Sequence, residues 1–159
     1  MAIVIKDQTR CAICGEVIKS SDEFTAFPPA FPNQADPLHI FHDAAVHDRC
    51  LDTHPFREAA VRRIDERRVN SGSGKRICRI CGKEVQDPND YVGLGHLTDD
   101  PGSPLKDYNY AHFHRSHFGK WSRGPYVLSL LAAMAETGGW TGDALPALID
   151  DLRSIIKNP

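Results

Sequence analysis

The 159-residue sequence has no apolar run near the roughly 18 residues that a membrane span needs. Its opening Met-Ala-Ile-Val-Ile-Lys is too short a hydrophobic stretch for a secretion signal, so a cytoplasmic location without membrane partners is expected. Charge of one sign is also missing. With 19 Lys and Arg against 21 Asp and Glu, the net charge of −2 gives the chain as a whole no pull toward DNA or an anionic surface. Several catalytic signatures are absent as well: no Gly-rich phosphate loop, no Gly-x-Ser-x-Gly elbow and no clustered carboxylate pair. Composition is otherwise ordinary, with 41% hydrophobic and 25% charged residues, which argues against wholesale disorder. An odd cysteine count without a secretion signal excludes a full disulfide framework.

The sequence is rich in metal-ligating residues, five Cys and eight His. Cys11-Ala-Ile-Cys14-Gly15 and Cys78-Arg-Ile-Cys81-Gly82 are two knuckles in which a tight turn lets both thiolates face one ion and Gly supplies backbone freedom. Downstream, His47-Asp-Arg-Cys50 and His114-Arg-Ser-His117 offer two further donors each, at an i, i+3 spacing that faces one way on the first turn of a helix.

An offset of 67 residues relates the two sets without a gap. It carries Cys78 to Cys11, Cys81 to Cys14, His114 to His47 and His117 to Cys50, and it also pairs Gly82 with Gly15, Leu105 with Leu38, Tyr91 with Phe24 and Tyr108 with Phe41. An internal repeat of one metal module follows. Redox Cys-x-x-Cys pairs open the helix of a βαβ unit and lack matched histidines downstream. Iron–sulfur clusters favour four cysteines, and the second set has two. Two Zn²⁺ per chain are therefore expected, on Cys11, Cys14, His47 and Cys50 and on Cys78, Cys81, His114 and His117, with no open position for substrate. His54 and His112 are rival ligands, but neither has a Cys or His partner at the repeat offset.

Between the ligands, Val17-Ile18, Phe24 to Phe27 and Leu38 to Phe41 read as short extended stretches broken by Pro28, Pro29, Pro32 and Pro37. Tyr91-Val92, Leu94 to Leu97 and Leu105 to Tyr110 repeat the plan. A knuckle, a small hairpin and a helix with the last two ligands resembles the treble-clef zinc finger over about residues 8–70 and 75–135. The tandem arrangement is also similar to small bacterial zinc-finger proteins of unknown function. The fold class expected is α+β, with a first zinc module over 1–70, a second over 71–123 and a C-terminal helical hairpin over 124–159.

Helical periodicity supports that division. Pro55 to Val69 places Phe56, Ala60, Val61 and Ile64 on one side with Arg57, Arg63, Arg67 and Arg68 at its edges. Ser71-Gly-Ser-Gly74 reads as a linker. Pro125 to Glu136 is apolar nearly all round, and Asp143 to Lys157 is amphipathic.

With no catalytic pattern, the chain reads as a non-enzymatic interaction module or adaptor whose partner is another protein. Phe24, Phe27 and Phe31, in the Pro-rich insert, are the candidate contact surface, together with Arg57, Arg63, Arg67 and Arg68. Nucleic acid is the alternative partner, because residues 55–83 hold nine Lys and Arg against three carboxylates. A degenerate HNH-like nuclease is a further alternative. That family's finger resembles this one, but the metal-binding His that follows the last zinc ligand is Leu51 or Phe118 here, and His96 alone could stand as the general base. The resemblance leaves the nuclease centre incomplete.

Overall fold

A computed structural model describes residues 3–72 and 74–158. Ser73, in the expected linker, lies outside the described residues. Among those described, the fold is α+β, with five α-helices and two small two-stranded antiparallel sheets. They fall into two compact units, one ending at Asp65 and the other beginning at Glu66, so the division lies inside a helix.

Each unit carries one knuckle. The Gly15 N–H donates to Cys11 O at 2.9 Å and the Gly82 N–H to Cys78 O at 2.8 Å. Both glycines sit at positive φ, +75° and +70°, where a Cβ would be strained. Strand β1 (Phe24–Ala26) pairs with β2 (Ala45–His47) so that Phe24 opposes His47. Strand β3 (Tyr91–Gly93) pairs with β4 (His112–His114) so that Tyr91 opposes His114. These bounds and registers superpose at the 67-residue offset. So do the left-handed residues Asp43 and Tyr110, at φ +47° and +56°, which turn the chain into β2 and β4.

The second strand is not where the aromatic stretch suggests. Pro37–Phe41 is a 3₁₀ helix, because Pro37 sits in its first turn and the Asp36 carboxylate caps it, accepting the Leu38 N–H at 2.9 Å. Lys106–Tyr108 is 3₁₀ as well, and Leu94 and Leu97 are buried loop residues. The Asp36 cap decides the conformation of the first stretch, while the 3₁₀ helix of the second has no side-chain cap.

In the first unit Phe27, Phe31 and Phe41 pack ring to ring, with centroids 4.9–6.3 Å apart, over Leu38, Val46 and Leu51. Phe27 and Phe31 are buried, so they form core and not the contact surface expected of them; Phe24 is half-buried. The helices α1 (Asp48–Asp52) and α2 (Arg57–Asn70) follow. Helix α2 begins after Pro55 as expected, but its buried residues are Ala60 and Arg63, while Phe56 and Val61 are exposed. Arg63 is 6% exposed, and its guanidinium meets Asp36 Oδ2 at 2.5 Å. It is a core residue, contrary to its placement on the expected surface.

In the second unit α3 (Arg115–Lys120), α4 (Gly124–Glu136) and α5 (Ala144–Lys157) close over the sheet. Phe113 and Phe118 pack against Trp121, and Val127, Leu131, Leu145, Ile149, Leu152 and Ile155 complete one core with them. Arg115 binds Asp151 through both guanidinium nitrogens, at 2.7 and 2.6 Å, which fixes α3 against α5. No helix among the described residues is long and apolar enough to cross a membrane.

A Cβ on Gly93 would stand 2.1 Å from the Tyr91 hydroxyl, which lies over that glycine to donate to His112 Nδ1 at 2.9 Å. Gly93→Ala is expected to cost about 1–2 kcal/mol by displacing the ring and losing that hydrogen bond. In urea denaturation, Tyr91→Phe should show much of the same loss. The double variant should add little to it.

Candidate metal centres

The knuckle and the end of the sheet bring four donors together in each unit. Cys11, Cys14, His47 and Cys50 form the first cluster, with their donor atoms all within 4.8 Å of one another. Cys78, Cys81, His114 and His117 form the second, within the same distance. In both, the first donor pair lies on the knuckle turn. The third is the last strand residue, which is also the helix N-cap, and the fourth lies in the helix that follows. All eight residues singled out by spacing are thus assembled, four and four.

The imidazoles approach through Nδ1. His47 Nδ1 lies 3.5 Å from Cys14 Sγ and 4.0 Å from Cys50 Sγ. His114 Nδ1 lies 3.6 Å from Cys81 Sγ, and His117 Nδ1 3.7 Å from Cys78 Sγ. Behind the first cluster, the buried His47 Nε2 lies 3.3 Å from Asp22 Oδ2, within ion-pair distance but without an aligned hydrogen bond. Asp22 is held below the usual carboxylate range, mainly by the Lys19 N–H at 2.8 Å and also by His47.

Backbone donors tune the thiols. Burial raises the Cys11 thiol, but N–H groups of Cys14, His47 and Ile13 outweigh it and bring it down to about 6. Burial likewise raises Cys78, and N–H groups of His114, Cys81 and Ile80 with the His117 side chain bring it to about 6. The His47 and His114 N–H groups both reach sulfur at 3.4 Å. Cys50 is pushed up by burial and by the neighbouring Cys14 and Cys11. Three thiolates in one cluster repel unless a cation lies among them. Arg49, paired with Glu16 at 2.8 Å and raised mainly by Cys50, supplies positive charge from outside.

The rival histidines are engaged elsewhere. His54 Nδ1 accepts the Phe56 N–H at 3.3 Å and its ring meets Phe41 edge-on. His112 donates from Nε2 to Asn70 O at 2.7 Å and accepts from Tyr91. His39 and His42 grip the backbone of Phe31, the first donating to its carbonyl at 2.8 Å and the second accepting its N–H at 3.1 Å. His96 Nε2 faces Asp99 at 3.1 Å. Of the arginines, Arg57 lies 3.3 Å from Asp52 and is exposed with Arg68, and Arg67 is half-buried. Asp22 and Asp36 carry roles that no spacing rule indicates, since each meets its partner only through the fold.

No family model, curated protein or solved structure matches the chain.

Acid should empty the second cluster first. Cys11 and Cys78 both favour the thiolate in the fold, so their stabilisation is complete above the ordinary thiol value of 9.0 and is lost as pH falls through about 6. That contribution is common to both sites. Each set takes up four protons once pH is below the ordinary imidazole value of about 6.5, so the order of release follows the donors: the second set has an imidazole where the first has a third thiolate, the softer and more tightly held donor. A zinc-responsive dye followed through a slow acid titration should report two steps. Cys50→His should merge them; a single step in the wild type would sink this ligand division.

Proposed function

We propose that each cluster holds one structural Zn²⁺ in a treble-clef-like module, and that the chain is a non-enzymatic protein presenting a surface to another macromolecule. The observation that carries this reading is the pair of four-donor clusters at identical repeat positions. The fit is quantitative. A tetrahedral ion with Zn–S of about 2.3 Å and Zn–N of about 2.0–2.1 Å sets its donors roughly 3.5–3.8 Å apart. Three of the four sulfur–nitrogen separations, 3.5–3.7 Å, fall within that range, and the fourth, 4.0 Å, lies just outside it. Cys11, Cys14, His47 and Cys50 would give a site of net −1, and Cys78, Cys81, His114 and His117 a neutral one. With four protein donors each, neither leaves a position for a reactive water, which supports a structural role. Knuckle, antiparallel strand pair and ligand-bearing helix are the treble-clef parts in order.

The partner reading shifts with the buried aromatics. Burial of Phe27 and Phe31 withdraws the aromatic patch that favoured a protein partner, so contact has to be made elsewhere on the exposed surface. The nuclease alternative gains nothing from its key positions, since Leu51 and Phe118 are buried core residues. Elemental analysis of the purified chain should return two zinc ions; one or none overturns the proposal. A nicking assay with Mg²⁺ or Mn²⁺ should show no activity that depends on His96, tested with His96→Ala.

A further inference from the structure

The repeat provides an internal control for charge. The two knuckles share ligands, glycine, turn hydrogen bonds and strand register, so any residue the scaffold itself demands should recur at both. The cations do not. Lys75, Arg76, Arg79 and Lys83 stand where the first module has Gln8, Thr9, Ala12 and Glu16. From Arg67 to Lys83 there are six Lys and Arg and no carboxylate. Folding a module of this kind requires none of that charge, as the first module demonstrates.

Two of these cations, Lys75 and Arg79, border an open groove. A groove of about 520 Å³ in the second unit is lined by Val69, Lys75, Ile77, Arg79, Tyr110 and His112 among others, and no lining residue is acidic. At the repeat position of Tyr110 the first module has Asp43, and both are left-handed residues on the same turn. Val69 is 62% exposed and Ile77 45%, so the groove offers apolar surface to solvent beside its two cations. The guanidinium of Arg79 is held over the Tyr108 ring, 4.9 Å from its centroid, and NH1 also donates to the Asp107 carbonyl. Arg76 is held in the same way over Tyr91 at 4.6 Å. Such stacking fixes a guanidinium before a ligand arrives, which reduces the ordering cost of binding. His112, hydrogen-bonded at both ring nitrogens, ties the end of α2 to β4 and so fixes the two walls of the groove.

We propose that this groove binds single-stranded nucleic acid, with backbone phosphates on Lys75 and Arg79 and a splayed base against Ile77, Val69 and Tyr110. It deepens the reading above by naming the partner and the face it meets, and it rests on that reading's non-catalytic character. A polyanion is favoured by two cations with no acidic neighbour in the lining. An unstacked base is favoured over a duplex because the groove combines an aromatic and an apolar wall with its charge, whereas duplex phosphates need charge alone. An acidic peptide would use the same cations, but its carboxylates carry no ring of their own, whereas every nucleotide pairs a phosphate with a planar base.

The test is fluorescence anisotropy with the zinc-loaded full chain and a labelled oligothymidylate of about 15 nucleotides. Three competitors accompany it: an abasic strand of equal length, a duplex of equal length and poly-glutamate. Oligothymidylate should bind at least tenfold more tightly than each of them. Lys75→Gln/Arg79→Gln should weaken binding roughly tenfold or more and lower the slope of log affinity against log salt by about 1.4, two single-strand phosphate contacts. Lys19→Gln/Lys157→Gln removes the same charge elsewhere and should change neither. Circular dichroism and zinc content should be unaltered in both variants. Equal binding of the abasic strand or duplex overturns the base-in-groove assignment, and preferred binding of poly-glutamate makes the partner an acidic protein. Failure of the intact, two-zinc protein to bind any strand sinks the site and leaves the zinc modules standing. Cleavage of the strand, in contrast, would defeat the non-catalytic reading while leaving the groove in place.

Discussion

Addition of excess chelator is expected to unfold the first unit completely and to leave the second partly ordered. Structural zinc in small modules is worth roughly 10–16 kcal/mol, as large as the whole stability of a typical domain, about 5–15 kcal/mol. In the first unit nothing replaces it. Three short phenylalanine contacts and a few aliphatic residues form its core, and Cys11 and His47 are themselves buried within it. Without an ion, the Cys11 thiol and the His47 imidazole would remain buried with their metal-facing atoms unpartnered, beside the less buried Cys50 and the exposed Cys14. The second unit differs because its core extends beyond the module. Val127 and Leu131 of α4 and Leu145, Ile149, Leu152 and Ile155 of α5 bury apolar surface that does not depend on the knuckle, and Arg115–Asp151 ties α3 to them. Hydrogen exchange read by mass spectrometry should show protection lost over residues 11–51 and over 78–117, with measurable protection kept in α4 and α5. Unchanged exchange over 11–51 in chelator would refute the zinc-dependence of the first module.

That asymmetry also shows which features the sequence made legible. Ligand sets were readable because donor identity and spacing are properties of the chain alone, and a shared offset for four donors is hard to imitate. The ends of α4 and α5 were readable because Pro125, the Gly138-Gly139 pair and a regular apolar stripe are local signals. The second strand was not readable. Leu38 to Phe41 is the more aromatic segment, yet Asp36 and Pro37 wind it into a 3₁₀ turn, and Ala45–His47 takes the strand because it must deliver His47 to the knuckle. Side-chain burial was misread for a related reason. Aromatic density marks Phe27 and Phe31 equally as core or contact surface, and helical periodicity puts Arg63 at an edge, but burial is decided by what a residue meets across the fold. Arg63 meets Asp36, 27 positions away, and Phe31, whose ring centroid lies 6.0 Å from the guanidinium.

Asp36→Ala is accordingly expected to be among the most damaging substitutions outside the candidate metal sites, with a loss of about 2–4 kcal/mol. Two effects combine. Asp36 caps the 3₁₀ turn through Leu38, a role worth about 1 kcal/mol in helices generally. It also neutralises Arg63, whose side chain is 8% exposed against 19% for Asp36. Taking away the carboxylate removes the 2.5 Å arm of that pairing from a largely buried guanidinium, which costs more than an exposed pair would. The two partners should therefore respond unequally. Arg63→Met keeps the apolar contact with Phe31 and leaves a carboxylate that is nearer solvent and still caps the turn, so its cost should stay near 1–2 kcal/mol. In Asp36→Ala the guanidinium, 8% exposed, loses its 2.5 Å carboxylate partner. Urea unfolding of the zinc-loaded protein measures both. A larger loss for Arg63→Met than for Asp36→Ala would show that the ion pair acts mainly through arginine packing, and would overturn the assignment of Asp36 as the residue that makes Arg63 tolerable in the core.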